Sequence, residues 1–341
     1  MLNSNYTIKG AIAEKRDRDM GNMWHVKNWF RVGHNISWAL NFHTLFGFLY
    51  LYKPFNNRFS LNQAEKKHKF IFSYLRKEHS DIIEKYRDYI EPSPEKPQHR
   101  YIWTLWWQGE ETAPPLIKAC FSSIRENANG AELVILTKDN YRDYIELPEY
   151  ILEKREKGYI SFAQLSDIFR FTLLEKYGGL WLDSTIYTSK PIPESYFERS
   201  FFSQHTKWAE TCFVQHNLFH GFIIGSQKNG KLVSFVKEMF FEYWKKHDTL
   251  VDYLMIDYLI MLAYQEYPDI KNEIDSLDYS SERLYDLVNM LSKPYNEAEF
   301  SKLKDACIFS KLDWHRKYRT EMNGSKTYYS ILIDDASSKL K

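Results

Sequence analysis

The run Ser161-Phe-Ala-Gln-Leu-Ser-Asp-Ile-Phe-Arg-Phe-Thr-Leu-Leu-Glu-Lys-Tyr-Gly-Gly-Leu-Trp-Leu-Asp-Ser-Thr185 decides the fold of this 341-residue chain. Ser161 with Gln164 three residues later is a capping box, in which each side chain satisfies a backbone N–H that a helix start leaves open. A helix therefore begins here. Leu165, Ile168, Phe169 and Thr172 make its buried stripe, and Asp167 and Arg170, three apart, share a face. Gly178 and Gly179 supply a left-handed stop. Leu180-Trp181-Leu182 is then a buried strand that delivers Asp183 at its carboxyl end, the edge of an open α/β sheet at which ligands bind.

Upstream of this run the texture is alternating. Tyr101 to Trp107 is aromatic and β-branched and ends at Gln108-Gly109, a strand followed by a turn. Pro114 to Asn127 has helical spacing with proline at its start, where the missing N–H is harmless. Glu132 to Leu136 is a second strand, and Tyr141 to Gly158 is helical in two pieces broken at Pro148. Strand, helix, strand in this order implies a parallel sheet and an α/β fold. Further upstream, Leu61 to Ile90 is charged and helix-friendly, and it stops at Glu91-Pro92-Ser93-Pro94-Glu95-Lys96-Pro97, which reads as a linker. The expected organisation is a helical N-terminal extension over 1–96 and an α/β domain over 97–341.

Composition narrows the class. Hydrophobic residues are 44% and charged residues 27% of the chain, an ordinary globular profile. With 46 basic and 45 acidic residues the net charge is +1, so no electrostatic footprint for nucleic acid exists and none is expected as a partner. Cys120, Cys212 and Cys307 are far apart and odd in number, which fits a reducing compartment and a cytoplasmic location. Met1 to Met20 is charged and lacks the apolar core of a secretory signal. Ile36 to Tyr52 has no Asp, Glu, Lys or Arg. It is short for a spanning helix and is interrupted by Asn41 and His43. Two readings of it stand: a buried helix, or a peripheral contact with the inner face of the cell membrane through its aromatics.

The chemistry centres on three charges. Arg170 offers a fixed fork for a hydroxyl or phosphate oxygen, Asp167 can accept hydrogen bonds from sugar hydroxyls, and Asp183 can hold a divalent ion beside a diphosphate. On physical grounds alone the bland reading weighs as much: a helix-surface ion pair and a turn aspartate.

The pattern Ser-Asp-x-x-Arg, then Leu174, then Tyr177-Gly-Gly-x-x-x-Asp resembles the sugar-binding region of glycosyltransferases with a DXD motif. These include capsular polysaccharide synthesis proteins, yeast initiating α-1,6-mannosyltransferases and, more distantly, the large clostridial glucosylating toxins. The resemblance runs from about Tyr101 to Tyr329, takes in Trp103-Thr-Leu-Trp-Trp-Gln-Gly and Phe240-Phe-Glu-Tyr-Trp, and is closest to the capsular group. It implies a GT-A-type, Rossmann-like nucleotide-sugar-binding domain, a Mn²⁺ or Mg²⁺ cofactor and retention of anomeric configuration. By motif position, Asp167 and Arg170 would hold the donor sugar, with Gly178 and Gly179 in the same motif. Asp183 would be the first acid of the DXD, and Trp106, with Gln108 beside it, would stack on uracil; a core role for Trp106 is the alternative. The third DXD position is Thr185 rather than Asp, which leaves the ion short of a carboxylate. In related enzymes a C-terminal loop supplies help, and here Ser310-Lys311-Leu312-Asp313-Trp314-His315 follows an apolar strand-like stretch, Ala306 to Phe309. Lys311 is the expected phosphate contact, while Ser310, Asp313 and His315 compete as metal ligand. Asn217, between His216 and His220, falls where the family lines its sugar or acceptor pocket. Asp257, on the apolar helix Leu254 to Ile260, is either paired in the core or turned to the active site.

The expected function is a bacterial retaining hexosyltransferase that moves sugar from a UDP-sugar to a lipid-linked oligosaccharide in capsule assembly. A metal-assisted hydrolase would need a fuller acidic cluster and a positioned base. A non-catalytic carbohydrate-binding or scaffold protein on the same fold is the remaining alternative.

Overall fold

The computed structural model describes residues 61–93, 96–207 and 213–339. The chain divides into two compact units, a smaller one of 1–59, 249–251 and 315–317 and a larger one holding the remainder. The expectations for Ile36 to Tyr52 lie outside the described residues.

Strands β1 (Tyr101–Leu105), β2 (Glu132–Leu136) and β3 (Gly179–Leu182) are parallel, with β1 in the middle. On the other side of β3 the sheet continues with β6 (Ile223–Ser226) and then β5 (Phe202–Ser203), giving the order β2-β1-β3-β6-β5. β6 runs antiparallel to both of its neighbours. A second, two-stranded sheet pairs β4 (Ile186–Thr188) with β7 (Phe309–Lys311). The α/β class read from the sequence is the observed one. Two bounds differ: β1 ends before Trp106, and the stretch expected as a strand from Ala306 begins with the last residue of a helix, the extended segment starting at Phe309.

The crossovers place helices on the sheet. α3 (Pro115–Asn127) joins β1 to β2, and α4 (Glu149–Glu156) precedes α5 (Phe162–Tyr177). The Ser161–Gln164 capping box is formed in both directions, and Leu165, Ile168, Phe169 and Thr172 are all buried. At the far end of α5, Gly178 and Gly179 take positive φ of 71° and 107°. A Cβ on Gly179 would sit 2.5 Å from the Tyr101 carbonyl oxygen, so the pair lets β3 start in close contact with β1. Trp103 locks this crossing by donating its indole N–H to the Gly178 carbonyl at 2.9 Å.

The helical segment before the sheet is part of the same unit. α1 (Leu61–Glu78) and α2 (Ser80–Lys85) bury Ile71, Leu75, Ile82 and Ile83. They meet α6 (Lys231–Lys246), α7 (Met255–Glu266) and α8 (Pro268–Asp275) through Phe72 on Tyr258, Tyr86 on Phe235, and the Tyr267 hydroxyl donating to the Ile83 carbonyl. The expected linker is stitched down: Glu91 Oε1 accepts from Lys231 N at 2.9 Å, and the Pro92 carbonyl accepts from Gln227 Nε2 at 3.0 Å. The expected boundary at 96/97 falls inside the larger unit. The C-terminal α9 (Asp286–Met290), α10 (Glu297–Ala306) and α11 (Tyr328–Lys339) share a core with α3 around Cys120, Leu287, Leu303 and Tyr328. No helix among the described residues is long and apolar enough to cross a membrane.

Candidate active site

At the carboxyl edge of β3, Asp183 is the meeting point of sequence-distant groups. Its Oδ1 accepts from Arg170 at 3.0 Å and from the Trp181 indole at 3.0 Å, and its Oδ2 accepts from Lys311 Nζ at 2.8 Å. Trp181 and Asp183 are two apart, so both project to the same side of the chain. Lys311 arrives because β7 pairs with β4, immediately after the Asp183 turn, with Lys311 opposite Ile186. The backbone is fixed as well: Asp183 N donates to the Phe222 carbonyl at 3.0 Å, the first residue before β6.

Arg170 is the buried hub, 4% exposed. It pairs with Asp167 at 3.2 Å one helical turn earlier, reaches Asp183, donates to the Gly221 carbonyl, and lies over the Trp181 ring at 5.0 Å. It is thus shared between two carboxylates, not the surface pair that spacing also allowed. Gly221 is closely faced by α7: a Cβ there would lie 3.2 Å from Ile256 Cδ1 and 3.4 Å from Asp257 Oδ1. That contact brings Asp257, buried in the first turn of α7, up to the same cluster.

The three carboxyls have different electrostatics. Burial raises Asp167 to about 7 against the pull of Arg170, with the charge of Asp183 adding to the rise. Burial likewise raises Asp257 to about 7, helped by Asp167 and opposed by Arg170. For Asp183 burial pushes the same way, but Lys311 and Arg170 outweigh it and hold the group below the usual carboxylate range. The cluster thus combines one acid held below the usual carboxylate range with two that burial raises to about 7.

Other expected residues lie elsewhere. Gly178 and Gly179 are at the opposite end of β3 from Asp183, where they serve strand crossing. Ser310 is fully buried, with Cys307 Sγ at 3.9 Å from its hydroxyl, and strand alternation turns it away from Lys311. His315 belongs to the smaller unit, and the Asp313 carbonyl accepts from the Tyr318 hydroxyl at 2.6 Å. Thr185 is half-buried in the turn, its carbonyl accepting from Leu312 N at 2.9 Å. Asn217 takes φ of 65° and uses its side-chain amide on the Lys207 carbonyl at 3.1 Å, within its own loop. Trp106 is half-buried, packs edge-on against Trp314 at 5.5 Å and covers Ala113, Ile117 and Phe121. Gln108 is exposed at the end of β1, on the same sheet edge as Asp183.

Among the described residues no group of three or more His, Cys, Asp or Glu gathers to hold a metal. A carboxylate offers about four acceptor positions; Asp183 has three filled, and the remaining one is on Oδ2. The donor set therefore fits a divalent ion carried mainly by substrate phosphates and water, the habit of Mg²⁺, and does not fit an all-protein cage.

The α/β sheet thus carries, at the carboxyl edge of β3, a buried arginine shared by two aspartates and a lysine across the second of them. The chain belongs to the capsular polysaccharide synthesis protein family, whose profile matches residues 52–332. No curated protein matches it. Among solved structures it is similar to the PaToxG glycosyltransferase, with 14% identity over 62% of this chain and 82% of that one and a TM-score of 0.37. It is also similar to the apo-form glycosyltransferase GlyE of Streptococcus pneumoniae TIGR4, with 14% identity over 71% of this chain and 64% of that one and a TM-score of 0.35.

Proposed function

We propose that the protein is a GT-A-type retaining glycosyltransferase that moves a hexose from a UDP-sugar to a lipid-linked oligosaccharide in capsule assembly. The observation that carries this reading is the Asp167–Arg170–Asp183–Lys311 chain of charges at the carboxyl edge of the sheet. Lys311, on one Asp183 oxygen, is within reach of a diphosphate that approaches this edge, and would exchange its carboxylate partner for the phosphate. Arg170 stays clamped by the Gly221 carbonyl, so it presents its charge without reorganising as negative charge grows on the departing UDP, the condition under which such stabilisation is largest. Asp167, near its midpoint at neutral pH, can donate to or accept from a sugar hydroxyl. A Mn²⁺ or Mg²⁺ ion on the open Asp183 Oδ2 position, with Thr185 beside it, would supply Lewis-acid neutralisation of the diphosphate. Release of UDP from UDP-glucose, UDP-galactose and their N-acetyl forms, with Mn²⁺ present, tests the reading. At least one donor turned over by the wild type and none by Asp183→Asn is expected. Binding of UDP with no turnover of any donor, even with saccharide acceptors, would favour a carbohydrate-binding protein instead.

A further inference from the structure

Lys311 is the near end of an aromatic wall. Its ammonium stands 4.5 Å from the centroid of the Phe222 ring. That ring is stacked on the buried His220 at 5.1 Å, and on another side it meets Tyr285 edge-on at 6.4 Å. Tyr285 closes the short helical turn Glu282–Tyr285, whose Leu284 is buried, and leads directly into α9, whose Leu287 is fully buried. The ring therefore stands on a firm base, yet it is 45% exposed. No described residue hydrogen-bonds its hydroxyl.

A pyranose carries C–H bonds on one face and hydroxyls at its rim. The positively polarised hydrogens suit the negative face of an aromatic ring, while the rim reaches neighbouring polar groups. Tyr285 offers such a face one ring contact beyond Phe222, which Lys311 covers while it holds Asp183 at 2.8 Å. The ring it meets, Phe222, immediately precedes β6, which flanks β3 on the side opposite β1, the strand that leads to Trp106 and Gln108. A nucleoside lying toward β1 and a diphosphate at Lys311 leave the Phe222 side for a second saccharide.

We infer that Tyr285 is the stacking platform for a pyranose ring of the acceptor saccharide, seated beside Lys311 on the Phe222 side of Asp183. This rests on the transferase reading, and the test separates the two. The probes are methyl α-glucoside, methyl α-galactoside and their N-acetylated analogues, followed by saturation-transfer NMR on the full chain with UDP present. At least one probe should receive saturation from the wild type. Tyr285→Phe, which keeps the ring, should retain the signal. Tyr285→Ala should weaken binding roughly three- to tenfold, the range an aromatic contact supplies, with UDP affinity unchanged. Absence of any pyranoside signal from the wild type, an undiminished signal in Tyr285→Ala, or an equal loss of UDP affinity in that variant overturns the inference. Pyranoside binding that depends on Tyr285 in a protein that turns over no donor would instead overturn the transferase reading and leave the platform standing.

Discussion

Asp183 has more donors than any surface turn aspartate needs, and this sets what its removal does. Asp183→Asn keeps the shape and one oxygen but loses the charge between Arg170 and Lys311. We expect kcat/KM for the preferred donor to fall by about 100-fold or more, with Tm lowered only by a few degrees; full turnover in a folded variant would remove Asp183 from the site. Arg170 is better probed by lysine than by alanine, because truncation would take the cation from the buried Asp167 and leave Asp183 with Lys311 alone, and breaking a buried pair costs about 3–5 kcal/mol. Arg170→Lys keeps the charge and loses the fork. Donor kcat/KM should fall by roughly two orders of magnitude while UDP affinity stays within about threefold, and unchanged donor kinetics would make the Arg170 cluster structural. Asp257 makes a pH prediction. An acid whose pKa rises on folding to about 7 holds its proton more tightly in the native state. Its contribution to stability is therefore greatest below the ordinary carboxylate value and is lost as pH rises through about 7. Asp257→Asn should melt higher than wild type near about pH 8, at about 2–4 °C for each kcal/mol recovered, and the gap should close toward about pH 4. Melting curves across that range decide it; a gap independent of pH would mean that the group does not titrate there.

Elements read from local pattern survive into the structure where the cause is local. The capping box needs only Ser161 and Gln164, and the double-glycine stop needs only its own φ angles; both were legible. Trp181 as an Asp183 partner was legible in principle, since strand neighbours two apart share a side. Gly221 and Phe222 were not. They reach Asp183 because β6 runs antiparallel to β3, so that the start of β6 meets the end of β3, and nothing in a single sequence specifies that pairing. Resemblance named Lys311 as a phosphate contact, but its place on Asp183 and the burial of neighbouring Ser310 came only with the β4–β7 register. The glycine pair carries a prediction at this scale. Gly179→Ala would place Cβ against the Tyr101 carbonyl in a backbone region that side chains rarely adopt. It should destabilise the protein by at least roughly 2 kcal/mol, seen as a Tm drop of about 4 °C or more. A variant melting with the wild type would show that β1 and β3 can part at no expense.

At the scale of the molecule, the helices before the sheet belong to its core. A chain beginning at 97 would uncover Tyr258, Phe235 and Tyr267, which α1 and α2 contact. We expect it to aggregate or to bind hydrophobic dye, whereas one beginning at 61 should elute as a folded species with a cooperative melt; equal behaviour would restore the boundary at the prolines. The composition shift after residue 90 was visible in the sequence, but a change of texture marks a change of element and not of domain when both sides bury the same apolar surface. The span of the Asp183 contacts has a last consequence, in time rather than space. Arg170 is 13 residues from Asp183, the Gly221 carbonyl that steadies it is 51 from Arg170, and Lys311 is 128 beyond Asp183. Local contacts form early and distant ones late, and synthesis runs in the same direction. A nascent chain therefore acquires its arginine and its aspartate long before its lysine, and the Asp183 cluster is completed only once β7 has been made.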